Sequence, residues 1–86
     1  MKEFNYVVND PLGIHARPAG MLAKAAKAFP DTVITITKGA KTIKATQLMM
    51  IMGLAVKNGD EVTVRVEGPS EDAAFAAMED FFKTNL

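Results

Sequence analysis

Four stretches of the chain alternate apolar and polar residues with the two-residue period of a half-buried strand. Phe4–Val8 puts Phe4, Tyr6 and Val8 on one face, and Val33–Thr37 sets Ile34 and Ile36 against Thr35 and Thr37. Lys41–Ala45 follows the short turn Lys38-Gly39-Ala40, which predicts a hairpin with the strand before it. Glu61–Glu67 turns Val62, Val64 and Val66 inward against Thr63 and Arg65. Each strand has a single strongly apolar face, which predicts a sheet covered on one side only.

Three further stretches follow the helical period. From about Ala16 to Ala28, a stripe of Leu22, Ala25, Ala26 and Phe29 opposes Arg17, Gly20, Lys24 and Lys27. A last helix starts from Ser70, an N-cap type after Pro69, with Glu71 and Asp72 in its first turn and a stripe of Ala74, Ala77, Met78 and Phe81. Between them, Leu48-Met49-Met50-Ile51-Met52-Gly53-Leu54 is apolar at every angle, with Thr46 as its predicted N-cap. So short a helix cannot bury all those side chains in a small domain. Met50 and Leu54 are expected inside, and Leu48, Met49 and Met52 outside. Asn58-Gly59-Asp60 then signals the end of this helix and a turn into the last strand. The order is β-α-β-β-α-β-α. One α+β domain with a four-stranded antiparallel sheet and helices on one face satisfies the pattern.

Composition narrows the function. At 86 residues there is room for a single domain over 1–86. Ten basic and ten acidic residues cancel, so no overall field draws the chain to nucleic acid or to an anionic membrane. The absence of cysteine excludes disulfides, thiolate catalysis and cysteine metal sites together. No clustered ligands point to a metal. The apolar run Leu48–Val56 is about half a membrane span, and the N-terminus lacks the apolar run of a signal peptide. A cytoplasmic protein is expected, with monomer as the default state.

The only histidine stands in Asn9-Asp10-Pro11-Leu12-Gly13-Ile14-His15-Ala16-Arg17-Pro18. Asp10, Pro11 and Gly13 form turns, and Pro18 belongs in the first turn of a helix, where its missing N–H costs nothing. His15 therefore falls at or beside an N-cap, with the free N–H groups of Ala16 and Arg17 close to the ring. That helix end is an anion site, and its partial positive charge favours a neutral imidazole with a lone pair for phosphorus. Arg17 can fork onto phosphoryl oxygens. A lone histidine near a helix start is most often a plain surface residue; the turn, the arginine and the proline at these offsets move the reading toward chemistry.

The segment Gly13-Ile14-His15-Ala16-Arg17-Pro18-Ala19 resembles the active-site motif of the HPr family, the histidine-containing phosphocarriers of the bacterial phosphotransferase system. The likeness runs over essentially the whole chain, in length, element order and motif position. It implies an open-faced β-sandwich in which enzyme I phosphorylates Nδ1 of His15. An enzyme IIA domain would then receive the phosphoryl group, with no cofactor. Arg17 matches the phosphate-assisting arginine. The resemblance would aim Arg17, Lys24 and Lys27 at acidic partner surfaces, although Lys24 and Lys27 alone read better as a solvated helix face. It would make Leu48, Met49 and Met52 a partner contact, since exposed apolar patches mark contact sites and methionine adapts to several surfaces.

Three departures bear on partners. Where some relatives carry a regulatory serine at the start of the middle helix, this chain has Gln47, which as the equivalent would mean no kinase control. Thr46 precedes it, and its hydroxyl would be the alternative regulatory site but reads first as a helix cap. Leu12 stands where sugar-system members often have a small polar residue. A longer hairpin and Gly68-Pro69 are similar to the nitrogen-related branch. The rival readings are a regulatory binding module on this scaffold, an RNA-binding α/β domain and a conventional enzyme. Retention of His15 with Arg17 weighs against the first. Zero net charge with a single tyrosine weighs against the second, and the lack of an acid–base pair beside His15 against the third.

Overall fold

The computed structural model describes residues 1–86. In chain order the elements are β1 (Lys2–Val7), α1 (Ala16–Lys27), β2 (Val33–Lys38), β3 (Lys41–Lys44), α2 (Leu48–Gly53), β4 (Glu61–Glu67) and α3 (Glu71–Asn85). The strands form one antiparallel sheet in the order β1-β4-β2-β3. Lys38 pairs with Lys41 across a two-residue turn, where Gly39 supplies the positive φ such hairpins need.

The alternation of the strands sets the core. Val64 pairs with Phe4 on one side and Ile36 on the other, so the inward residues of three strands share one layer. Val8, Ile36, Val62, Val64 and Val66 are fully buried there. Leu22, Ile51, Met78 and Phe82 close over them from the helices. Phe82 makes edge-to-face contacts with Phe4 and Tyr6, with ring centroids 5.8 and 5.6 Å apart. The other sheet face stays polar, with Thr63 donating to Asn5 at 2.7 Å and Arg65 reaching Glu3 at 3.4 Å.

Several expectations shift by a residue. β1 begins at Lys2 and ends at Val7, and α1 ends at Lys27. On α1 the buried stripe is Ala19, Leu22, Ala23 and Ala26, while Ala25 and Phe29 only flank the core. On α3 it is Ala74, Met78 and Phe82, with Ala77 and Phe81 half-buried beside it. The expected Phe81 gives way to its neighbour, because packing on Phe4 and Tyr6 selects Phe82 for the core. Ser70 does occupy the N-cap of α3, but its hydroxyl donates to Asp31 at 3.0 Å and caps no helical N–H.

The middle helix needs two corrections. Its N-cap is Gln47 and not Thr46, because Gln47 N–H bonds back to Lys44 at 3.1 Å and closes a turn that delays the helix. Met50 is exposed, and Ile51 is the residue the core takes. Leu54 is buried and Leu48, Met49 and Met52 are exposed, as expected. No helix is long and apolar enough to cross a membrane.

Candidate functional site

The loop from β1 to α1 is fixed before it reaches the histidine. Asp10 accepts the Leu12 N–H on Oδ1 at 2.8 Å, and its carbonyl accepts the Gly13 N–H at 2.9 Å. Gly13 has φ +68°, and a Cβ there would collide with the Val56 carbonyl and lie 2.7 Å from Lys57 Cα. Only glycine allows that approach. The next residue, Ile14, is buried and donates to Val56 at 3.0 Å. Asn9 and Asp10 both donate to the Leu86 oxygen, at 2.6 and 2.9 Å, so the end of α3 also holds the loop.

His15 follows as the N-cap of α1, with extended backbone (φ −91°, ψ −177°) and a carbonyl that accepts the Ala19 N–H at 2.9 Å. Its side chain caps nothing. Pro18, at the third helical position, has no N–H to satisfy, which leaves Ala16 and Arg17 as N–H donors with no acceptor in the chain. The first turn of α1 carries no acidic residue, so nothing on the helix itself neutralises its positive end. The ring is 37% exposed and Nε2 stands 3.8 Å from Asp10 Oδ2. His15, Asp10, Arg17, Pro18, Met21 and Asn85 line one shallow depression. A nucleophilic nitrogen, two free N–H donors and a guanidinium thus meet at one surface. That set suits a tetrahedral oxyanion such as a phosphoryl group.

The other candidates fall into two places. Lys24 and Lys27 are exposed further along α1, in its last turn, where their charge also complements the helix dipole. Leu48, Met49 and Met52 form an exposed patch on α2, a helix packed beside α1. Thr46 lies away from His15, in a hollow of about 180 Å³ with Phe29, Pro30 and Lys44. Sequence reasoning missed Met21, exposed beside the histidine, and Met50. A helix phase set by Ala19 and Ala23 would have turned Met21 outward. No three His, Cys, Asp or Glu side chains converge as a metal ligand set.

Fold and site together define an α+β domain that presents one imidazole at a helix start prepared for an anion. A family model described as the PTS HPr component phosphorylation site matches residues 2–84. The phosphocarrier protein HPr of Lysinibacillus sphaericus is 42% identical over 78 residues, covering 91% of this chain and 88% of that protein. The one from Mycoplasma genitalium is 32% identical over 85 residues, covering 99% and 97%. A crystal structure of an HPr from Thermoanaerobacter tengcongensis superposes with a TM-score of 0.91 at 33% identity, covering 98% and 93%. The chain belongs to the HPr family of phosphocarrier proteins.

Proposed function

We propose that this chain relays phosphoryl groups in a phosphotransferase system, taking one from phosphorylated enzyme I onto Nδ1 of His15 and passing it to an enzyme IIA domain. It does so as a cytoplasmic monomer, without cofactor. The observation that carries the reading is the phosphorylation-site family match across residues 2–84, with the sole histidine at the N-cap of α1, ahead of two free N–H groups, and Arg17 lining the same depression.

The mechanism follows from the parts. The Nδ1 lone pair attacks phosphorus while the N–H groups of Ala16 and Arg17 and the Arg17 guanidinium take up charge on the phosphoryl oxygens. The same contacts serve both directions. His15 therefore carries the group without holding it irreversibly, as a relay requires. Lys24 and Lys27 steer acidic partner surfaces, and Leu48, Met49 and Met52 supply the apolar contact. A partner from the nitrogen branch is the second reading, favoured by the longer hairpin and Gly68-Pro69, with Leu12, 71% exposed on the His15 loop, as a departure from sugar-system members.

The test is incubation with phosphoenolpyruvate, magnesium and purified enzyme I, followed by intact mass and acid lability. One phosphoryl group, lost in mild acid and absent in His15→Ala, is expected. Arg17→Ala should slow acceptance by about tenfold or more, the loss typical of one charge-assisted contact. Unchanged acceptance by His15→Ala would overturn the assignment.

A further inference from the structure

We propose that Asp10 is a positioning residue for His15, its carboxylate holding the ring in the tautomer with hydrogen on Nε2 and leaving the Nδ1 lone pair for phosphorus. The inference rests on the reading of His15 as the phosphoryl acceptor and names what prepares it.

Asp10 is committed on three sides. Its N–H donates to Leu86, its carbonyl accepts from Gly13, and Oδ1 accepts from Leu12. Only Oδ2 is left, and Nε2 of His15 is its one ionic neighbour, at 3.8 Å. No lysine or arginine claims the carboxylate. A small rotation of the half-exposed ring closes that gap to a hydrogen bond. Leu12 has no polar side-chain atom, so it cannot orient the ring.

The carboxylate beside Nε2 and the helix start at which His15 stands therefore ask for opposite things. Oδ2 accepts only, so it requires a hydrogen on Nε2. The free N–H groups of Ala16 and Arg17 donate only, so they suit a lone pair or phosphoryl oxygens beyond it. One tautomer of the neutral ring satisfies both. Arg17 is the only other charged group lining the depression, since Pro18, Met21 and Asn85 are neutral.

On transfer, the Nδ1 lone pair forms the N–P bond while the bond from phosphorus to the donor breaks, its electron pair leaving with the donor. His15 keeps its Nε2 hydrogen, and the ring becomes a phosphoimidazolium whose positive charge faces Asp10. The carboxylate thereby serves acceptance and keeps the ring a good leaving group for the next transfer.

His15 being the only histidine, its ring nitrogens are resolved directly in ¹H–¹⁵N spectra of the full chain. Spectra at about pH 8.5, where an ordinary imidazole is neutral, should show the Nε2–H form predominating. In Asp10→Asn the amide oxygen can keep the Leu12 N–H while the NH₂ faces Nε2. The ratio of Nε2–H to Nδ1–H should then fall about threefold or more, the worth of one hydrogen bond. Asp10→Ala should fall between. Acceptance from enzyme I should slow in the same order. An unchanged tautomer ratio in a folded Asp10→Asn overturns the proposal, as does a shifted ratio with unaltered acceptance. The spectra need no donor, so a wild-type chain that enzyme I never phosphorylates would overturn the carrier reading separately.

Discussion

The His15 loop and helix α2 are both exposed, yet they are held in opposite ways. The loop is pinned by backbone: Gly13 against Val56, Asn9 and Asp10 against Leu86, and Asn58 Nδ2 donating to the Asn9 carbonyl at 2.9 Å. Helix α2 has six residues, one of them buried, and no side-chain cap at its start. What steadies it is the far end, where Lys38 donates to the Leu54 and Ala55 carbonyls at 3.3 and 2.8 Å. The difference fits the two roles proposed for them. Phosphoryl transfer needs donors fixed to fractions of an ångström, whereas a surface that meets more than one partner gains from methionines that repack.

The loop should fail first when its backbone is touched. Gly13→Ala combines a left-handed φ with a Cβ driven into Val56 and Lys57, and should cost about 2–4 kcal/mol in urea unfolding. A loss below about 0.5 kcal/mol would mean the loop yields easily, and the contrast with α2 would collapse.

Within α2 the contrast should reappear between neighbours. Ile51→Ala empties a fully buried site and should cost about 2–4 kcal/mol. Met50→Ala, 46% exposed, should stay within about 0.5 kcal/mol. Equal costs would place Met50 in the core after all. Met49→Asp and Met52→Asp should leave stability nearly untouched and weaken enzyme I binding by about tenfold, roughly 1.4 kcal/mol, measured by calorimetry. Silence from both would remove α2 from the docking surface.

What could be read from the sequence follows the same division. The strands were legible because alternation fixes which face is buried, and the His15 site because glycine, histidine, arginine and proline each restrict the backbone or chemistry within six residues. Helix α2 was legible as an element but not in phase: a run apolar on all sides cannot say whether Met50 or Ile51 points inward. Phe81 and Phe82 posed the same problem on α3. The cap of α2 was missed because Thr46 is the better capping residue by type, while the turn closed by Gln47 N–H and the Lys44 carbonyl decides the start. Nor does any residue type announce that the helix ends at Gly53, ahead of the Asn58-Gly59-Asp60 turn expected to close it, with Ala55 just past its C-cap.

That helix end carries the next smaller effect. Ala55 follows the C-cap of α2 with φ 53°, the left-handed position where glycine is the usual residue. Ala55→Gly should stabilise the protein by about 0.5–1 kcal/mol, because relief of the left-handed cost exceeds the added freedom of the unfolded chain. A destabilised variant would show that the lysine clamp from the hairpin, and not the backbone at Ala55, sets how α2 ends.

The weakest expected effect is also the one that joins the two regions. Segment 56–60 touches both: Val56 receives Ile14, Asn58 holds Asn9, and Asp60 accepts the Lys57 N–H at 2.9 Å and pairs with Lys38 at 3.0 Å. The Lys57 N–H first, and then Lys38, hold the Asp60 carboxyl below its ordinary value of 3.8. A carboxylate depressed on folding binds fewer protons in the native state, so its contribution is present above the unfolded value and fades as pH falls through the folded one. Asp60→Asn keeps an acceptor for Lys57 but gives up the charge. The urea midpoints of wild type and variant should therefore differ near neutrality and converge below about pH 4. Glu71 and Asp72, also held low by the N-terminal ammonium and by Lys2, are common to both proteins and cancel in that difference. A gap that stays constant down to about pH 2 would assign the stabilisation to shape and not to charge. Lys38 would then anchor α2 through the two carbonyls alone, and the Asp60 carboxylate would add no ionic tie between the His15 loop and α2.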